Sequence, residues 1–210
     1  MAEARPAFQY AAIAQQREAA TLGMWAFLAT EILFFGALIA AYSAYRVSDP
    51  AGFAEAARHT RIALGAVNTF ILLTSSAFMA MAVELGSAAR ARSAALCLAA
   101  TAALGLAFLG VKGWEYVLEY REGLVPALDF DLARYGPTAE LFFLFYFFAT
   151  LLHALHLAIG IGLTGTLAAR FARGRGPREP VLRLVGLYWH FVDVVWIFLF
   201  PLIYLVGRSG

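Results

Sequence analysis

The sequence contains few charged residues. Asp, Glu, Lys and Arg make up 14% of its 210 residues, and hydrophobic residues make up 62%. Soluble globular proteins have about 25% charged residues. This scarcity excludes an ordinary soluble domain and predicts an integral membrane protein. The net charge of +2 is too small to indicate nucleic acid as a partner.

Cysteine is also scarce. The single cysteine, Cys97, excludes an internal disulfide bond, and a metal site built on two thiolates would need a second chain. Its apolar neighbours favour a packing role over a reactive one. No cleavable signal peptide is indicated, because residues 1–20 are polar and lack an apolar core. We therefore expect the first hydrophobic segment to direct its own insertion into the membrane.

Five apolar runs are long enough to cross a bilayer, which requires about 20 mostly apolar residues. They cover approximately residues 22–45, 62–85, 93–118, 139–169 and 182–206. Gly and Pro mark most of the polar breaks between them as turns, and the breaks are too short to fold alone. The sequence therefore predicts an all-α integral membrane protein, a bundle of five transmembrane helices that forms a single domain over residues 1–210.

The distribution of arginine predicts the orientation. A cytoplasmic N-terminus places nine arginines on the cytoplasmic side: Arg5, Arg17, Arg90, Arg92, Arg170, Arg173, Arg175, Arg178 and Arg183. Six remain on the other side, where the loops also hold most of the acids: Asp49, Glu55, Glu119, Glu122, Asp129 and Asp131. Because positive residues concentrate in cytoplasmic loops, we expect a cytoplasmic N-terminus and a periplasmic C-terminus.

Ionisable side chains inside the predicted spans are costly, at least ~2.5–3.5 kcal/mol each at the bilayer centre. They include Glu31, Lys112, Glu115, His153, His156, His190 and Asp193. Residues three positions apart share a helix face, so His153 and His156 form one polar stripe and His190 and Asp193 form another. Asp193 could accept a hydrogen bond from a neighbouring imidazole.

Glu31 differs from the other acids inside the spans. No basic residue lies within four positions of it, and bulky apolar residues surround it. Burial disfavours a lone carboxylate, which makes Glu31 a candidate for handling protons; a neutral, hydrogen-bonded core acid is the alternative. Lys112 and Glu115, by contrast, are three residues apart and can neutralise each other.

The polar residues favour hydrogen bonding between helices over a bound metal. Only His153, His156 and His190 are intramembrane histidines, and no second pair exists to hold a haem. The many histidines or Glu-x-x-His pairs of a membrane di-iron enzyme are missing, and so is the second cysteine of a two-copper thiolate site. We expect no metal in this chain. A channel or transporter remains an alternative, because buried acids also line proton paths.

The first and fourth spans have faces rich in Phe, Gly and Ala, such as "FFGALIAA" and "FFLFYFFATLLHALH". Close approach of helices in lipid depends on small residues. We therefore expect Gly36 to permit close packing, either within the bundle or against a larger partner.

Five motifs occur in order from about residue 20 to 207: "GMWAFLATEILFFGALIAAY", "NTFILLTSS", "KGWEY", "FFATLLHALHLAIG" and "YWHFVDVVWIFLFPLIYL". On these motifs the chain resembles subunit III of the haem–copper oxidases, the cytochrome c oxidase family. The last motif is highly specific, whereas "LHALH" is weak outside this context. The full-length form of the family has seven spans, and this chain resembles its last five.

The resemblance implies a non-redox accessory subunit of a proton-pumping terminal oxidase in the bacterial cell membrane, which reduces oxygen to water. Members of the family bind no haem or copper, pack against subunit I, hold phospholipid in a cleft, and support proton uptake and sustained turnover. Haem and copper are therefore expected in the partner subunits, which include subunit II. The two missing helices are expected from a neighbour such as an extended subunit I.

The resemblance also implies roles for the polar residues. Glu31 matches the buried acid that is associated with carbodiimide sensitivity. The inter-helix polar set of the family is matched by Glu115, His153, His156, His190 and Asp193. The equivalent subunit of a quinol oxidase, or a homologue beside nitric oxide reductases, is the first alternative. A stand-alone proton-conducting membrane protein is an alternative of another class.

Overall fold

The computed structural model describes residue 10 and residues 12–88, 90–128, 130–176 and 179–208. Arg5, Asp129 and Arg178, which entered the orientation argument, lie outside the described residues. Within them the chain forms six helices: α1 (Ile13–Ser48), α2 (Pro50–Arg58), α3 (Ile62–Ser87), α4 (Ala91–Arg121), α5 (Leu132–Ala172) and α6 (Glu179–Tyr204). All except α2 are long and apolar enough to cross a membrane. The predicted all-α membrane fold with five spans is confirmed.

The helices extend beyond the predicted spans at most ends. α1 begins at Ile13 rather than near residue 22, and α4 continues past residue 118 to Arg121. Hydropathy marks the apolar part of a helix, whereas the hydrogen-bonded backbone continues through the polar residues that flank it. Glu119 is therefore part of α4, and its predicted place in an outer loop is wrong.

Two prolines mark local changes in the long helices. Gly136 has φ 79° and ψ 169°, a conformation that glycine adopts without a steric penalty, and Pro137 follows it. α5 therefore has a short first segment and a long second segment, which begins close to the predicted start at residue 139. In α6, Pro201 lies in the last turn.

Consecutive membrane helices are antiparallel, because the connections between them are short. α3 packs against α4 and α6, and α5 packs against the same two helices, so these four form the core of the bundle. α1 lies outside this core against α5 and α6, and it buries only Leu28, Phe35 and Tyr42. The Tyr42 hydroxyl donates to the Leu202 carbonyl of α6 over 2.6 Å. α1 is therefore the least embedded of the five spans.

Two glycines allow the indole of Trp189 to pack between helices. A Cβ atom added at Gly105 of α4 would lie 2.9 Å from the Trp189 side chain, and one at Gly160 of α5 would lie 3.0 Å from it. Gly36 has no neighbouring atom within 4 Å of such a Cβ. Gly36 lies on the outward face of α1, so it does not permit close packing within the bundle, which was one of its two expected roles. Its other expected role, packing against a partner, stays a prediction.

The two ends of the bundle differ in charge. We call the end where α1, α4 and α6 begin the arginine-rich end, and the other the opposite end. Among the described residues, the arginine-rich end contains Arg17, Arg90, Arg92, Arg170, Arg173, Arg175 and Arg183. Because consecutive helices are antiparallel, these arginines, which the sequence assigns to one side of the membrane, lie at one end of the bundle.

The short helix α2 closes the opposite end. Asp49 is its N-cap and accepts a hydrogen bond from the Gly52 backbone N–H over 3.0 Å. The Thr138 hydroxyl of α5 also donates to Asp49, over 2.9 Å. These two donors, Gly52 foremost, hold the pKa of Asp49 below its ordinary value. The Arg208 guanidinium donates to three carbonyls near the end of α2, so α2 is fastened from both sides.

Candidate functional site: polar clusters inside the bundle

Glu31 of α1 has a partner on another helix. Its Oε2 atom lies 3.2 Å from Nε2 of His156 on α5. The two side chains are 19% and 12% exposed, and the Phe35 ring packs edge-on against the imidazole. Glu31 lies 18 residues after Ile13 and 17 before Ser48, near the middle of α1. The structure therefore places an acid–imidazole pair near the middle of α1, where no basic residue of the same helix lies within four positions of Glu31.

The hydrogen bonds of His156 determine how many protons this pair holds. Its Nδ1 atom lies 2.9 Å from the Leu152 carbonyl oxygen, which can only accept, so Nδ1 carries hydrogen. A neutral imidazole of this tautomer has a bare Nε2. The contact with Glu31 then requires one more proton, either on the carboxyl group or on Nε2. A proton on either group would join Glu31 of α1 to His156 of α5.

His153, one turn before His156, is packed as an aromatic ring. It is fully buried, and its ring centroid lies 5.5 Å from that of Phe108 and 5.1 Å from that of Trp196. Among the described residues, neither imidazole nitrogen has a hydrogen-bond partner. The inter-helix hydrogen bond expected for His153 is therefore not found there, because aromatic rings from α4 and α6 occupy its surroundings.

His190 bonds to a hydroxyl of α3 rather than to Asp193. Its Nδ1 atom lies 2.7 Å from Oγ of Ser76. Asp193 is buried on the same helix, and within the described part of the chain neither carboxyl oxygen is in hydrogen-bond geometry with a partner. The hydrogen bond from an imidazole to Asp193 is therefore not formed in this structure.

Hydroxyls of α3 accept hydrogen bonds from indoles of α6 along the seam between these helices. Trp189 Nε1 donates to Ser75 over 3.1 Å, and Trp196 Nε1 donates to Thr69 over 3.0 Å. With the contact at His190, these bonds fix the register of α3 against α6. The "NTFILLTSS" motif thus supplies acceptors for the "YWHFVDVVW" motif.

A second polar cluster surrounds Lys112, nearer the opposite end. The Lys112 ammonium donates to Glu115 over 2.9 Å, to the Tyr146 hydroxyl over 2.8 Å and to the Tyr204 hydroxyl over 3.0 Å. Lys112 is 2% exposed and Glu115 is fully buried. The three donors of the ammonium are therefore all used. The expected Lys112–Glu115 pair is present, and hydroxyls from α5 and α6 complete it.

Glu119 lies one turn beyond Glu115 and is also fully buried. Its position four residues after Glu115 and seven after Lys112 places all three on one face of α4. Its carboxyl group interacts with Tyr146 and Lys112, but neither oxygen meets strict hydrogen-bond geometry with a described residue. Sequence reasoning missed Glu119 because it lies past the end of the apolar run, although its helical spacing from Lys112 was a usable signal.

The hydroxyl partners in these clusters were also missed. Tyr146 lies in "FFLFYFF" and is seven residues before His153, so it shares the inner face of α5. Tyr204 lies beyond the recognisable polar pattern of α6 and gave no such signal. Within the described residues, no three His, Cys, Asp or Glu side chains converge in a way that could hold a metal ion.

Comparison with known proteins agrees with this architecture. The sequence model of the family described as cytochrome c oxidase subunit III matches residues 5–208. Cytochrome c oxidase subunit 3 of Bacillus subtilis (strain 168) is 33% identical over 194 residues, which cover 90% of this chain and 87% of the relative. Quinol oxidase subunit 3 of the same strain is 31% identical over 191 residues, which cover 90% and 88%.

A third relative is cytochrome c oxidase subunit 3 of Alkalihalophilus pseudofirmus, which is 29% identical over 194 residues that cover 90% of this chain and 87% of the relative. These bacterial relatives and the five apolar helices identify a multi-pass bacterial membrane protein. The family match includes all five spans and both polar clusters. This chain belongs to the cytochrome c oxidase subunit III family.

Proposed function

We propose that this chain is the non-redox accessory subunit of a proton-pumping terminal oxidase, whose partner subunits reduce oxygen to water. The family match over residues 5–208 carries this proposal. Membership implies association with other oxidase subunits such as subunit I. In this role the chain stabilises subunit I within the membrane and supports proton uptake by it.

Haem and copper belong to the partner subunits in this proposal. The three intramembrane histidines have separate surroundings: His153 lies between aromatic rings, His156 contacts Glu31, and His190 contacts Ser76. This arrangement does not fit a haem held by two histidines or a copper centre. The contribution of the chain is therefore packing and proton storage, with no electron-transfer step of its own.

The exposed side of α1 supports a protein partner at that position. Large apolar residues are exposed along it: Leu22, Trp25, Ile32, Leu33 and Phe34. The seven-span form has two more helices than this chain. In the proposed complex, an extended subunit I supplies these two helices, and they pack against α1. Subunit II is a further component, and bound phospholipid fills the remaining space beside α1.

The Glu31–His156 pair supports a role in proton uptake. It holds one proton near the middle of the membrane, in contact with α1, the helix proposed to face the partner. Glu31 lies nine residues after residue 22, where the first apolar run begins, which is roughly 14 Å at 1.5 Å per residue. A single site at this depth is a store rather than a complete path, so its effect on turnover is expected to be modest.

The orientation is part of the proposal. The arginine-rich end faces the cytoplasm, and the C-terminus faces the periplasm. In a chain with Cys97 replaced by Ala, a cysteine at Arg175 should react with an impermeant thiol reagent only from the cytoplasmic side. A cysteine at Leu128, which is 79% exposed at the opposite end, should react from the periplasmic side. The reverse pattern contradicts this orientation.

The equivalent subunit of a quinol oxidase is a second candidate. The relatives named for cytochrome c and for quinol match this chain at 33% and 31% identity, so the comparison favours neither donor. The donor site lies on other subunits in either case. Oxygen consumption by the intact complex with reduced cytochrome c or with a quinol as the donor distinguishes these candidates.

Purification of the tagged chain from its native membrane in mild detergent tests the proposal. Mass spectrometry should find an oxidase subunit I with the chain, and the reduced-minus-oxidised spectrum should show haem. Haem or copper that stays with the chain after its partners are removed contradicts the accessory role. Recovery of the chain alone, together with proton leakage when it is placed in liposomes, favours a stand-alone proton conductor instead.

A further inference from the structure

A groove separates α4 from α5 at the arginine-rich end. It encloses about 590 Å³, and five of its lining residues are alanines, among them Ala95 and Ala99 of α4 and Ala168 and Ala172 of α5. Arg92, in the first turn of α4, also lines it. α1 makes no contact with α4 in the described part of the chain. The groove is therefore distinct from the space beside α1 that the proposed partner helices and lipid occupy.

The shape of the groove follows from the sequence of α4. Arg92, Ala95, Leu96 and Ala99 are spaced at intervals of three and four residues, so they share one face of the helix. An alanine side chain ends at Cβ and leaves the space between the two helices unfilled. From Arg92 to Ala99 this space extends roughly 10 Å along the helix. An apolar groove of this kind gains contact energy when a hydrocarbon chain enters it.

The charge around the groove is positive, and the acids that flank it in the sequence, Glu84 and Glu179, lie outside the two stretches that line it. Five exposed arginines lie at this end of α4 and α5: Arg90, Arg92, Arg170, Arg173 and Arg175. None of them forms an ion pair with a described residue. No Asp or Glu occurs between Glu84 and Glu115, or between Glu140 and Glu179. Phosphate groups at the membrane surface complement this charge.

We propose that the α4–α5 groove binds an anionic phospholipid of the adjoining leaflet, with one acyl chain between the alanines and the phosphate at Arg92 and Arg173. Arg173 is the C-cap of α5 and lies one turn beyond Ala169, which also lines the groove. A transmembrane helix of a partner would bring apolar side chains to Arg92 and Arg173, whereas an anionic lipid brings a phosphate that complements their charge. The short apolar channel and its charged end fit a lipid instead.

The intact oxidase complex tests this proposal through its lipid content. Complexes containing wild-type, Arg92→Gln or Ala99→Phe chains are equilibrated with dioleoylphosphatidylglycerol or dioleoylphosphatidylcholine. After gel filtration, the retained lipid is counted per chain by mass spectrometry. Ala99→Phe should lose one phosphatidylglycerol per chain, Arg92→Gln should retain less of it than the wild type, and neither should lose phosphatidylcholine. For Arg92→Gln the affinity should fall about fivefold, the factor expected for one arginine near an anionic surface.

Two variants are matched controls. Arg121→Gln removes the same charge from the opposite end of α4, and Ala107→Phe adds the same ring at an exposed position of α4 that does not line the groove. Both should retain lipid as the wild type does. Equal retention in all variants overturns the proposal, as does the loss of a partner subunit from Ala99→Phe with its lipid unchanged. A wild-type preparation without haem contradicts the proposed function. It does not contradict the lipid proposal, because the retained lipid is counted per chain.

Discussion

Glu31 and His156 are 125 residues apart in the sequence, and Oε2 of Glu31 lies 3.2 Å from Nε2 of His156 near the middle of the bundle. α1 otherwise attaches to the bundle through few buried residues. The pair therefore combines two functions that are separable by substitution: it fastens α1 to α5, and it holds a proton.

The first prediction separates these two functions. In Glu31→Gln, the amide can still donate to Nε2 of His156, but the titratable carboxyl group is lost. We expect normal assembly, resistance to a hydrophobic carbodiimide, and a decrease in oxygen consumption of about twofold or less. A twofold decrease is small compared with the ~10²–10⁴-fold effect of losing a catalytic acid or base. The decrease should grow toward alkaline pH, where protons are scarce, in steady-state measurements from pH 6 to 9.

Two further variants control this experiment. Glu18→Gln changes an exposed acid on the same helix and should match the wild type at every pH. His156→Gln should reproduce the Glu31→Gln profile, and the double variant should add little to either, because residues in direct contact are not independent. If the Glu31→Gln and wild-type profiles coincide, including their loss of activity during long turnover, Glu31 has a structural role only.

The second prediction concerns the buried Lys112 cluster. Lys112→Met leaves the Glu115 carboxylate buried without its cation, and breaking a buried pair in this way costs about 3–5 kcal/mol. We expect the chain to dissociate from the complex at a lower temperature. Adding Glu115→Leu should restore much of the loss, because the carboxylate that contacted Lys112 is then removed as well. A double variant as unstable as Lys112→Met alone would show that the tyrosine contacts, rather than the ion pair, determine stability.

The third prediction uses two glycines of α4. A Cβ atom at Gly105 would lie 2.8 Å from Ile161 and 2.9 Å from Trp189, whereas one at Gly110 would have no neighbour within 4 Å. Gly105→Ala should therefore destabilise the chain by about 1–3 kcal/mol through overpacking. Gly110→Ala should be neutral or slightly stabilising. Thermal unfolding of the purified complex measures both, and equal effects would contradict the packing of the Ile161 and Trp189 side chains against Gly105.

The sequence predicted the spans well because membrane thickness imposes a length on each apolar run. It also predicted the Lys112–Glu115 pair, since both residues belong to one helix turn. The partner of Glu31 could not be predicted, because it depends on how α1 leans against α5. The helix α2 was missed in a polar break, although Asp49 followed by Pro50 is a recognisable helix start.

The groove between α4 and α5 could not be predicted for a similar reason. The alanines of each helix are visible in the sequence, but whether two such faces meet and leave space depends on the distance between the helices. Glu119 shows the opposite case. Its burial was readable from its spacing to Lys112, and it was missed because hydropathy alone set the end of the span.

The oxygen consumption of the oxidase complex with and without this chain tests the accessory role most directly. The complex is purified from a strain that lacks the chain, and its haem spectrum and rate are followed during continuous turnover. For the complex without the chain, we expect an unchanged haem spectrum and a preserved initial rate. Its activity should then be lost earlier than that of the complete complex, and adding the chain should prevent this loss. Immediate loss of oxygen reduction together with an altered haem spectrum, or identical behaviour throughout turnover, would contradict the accessory role.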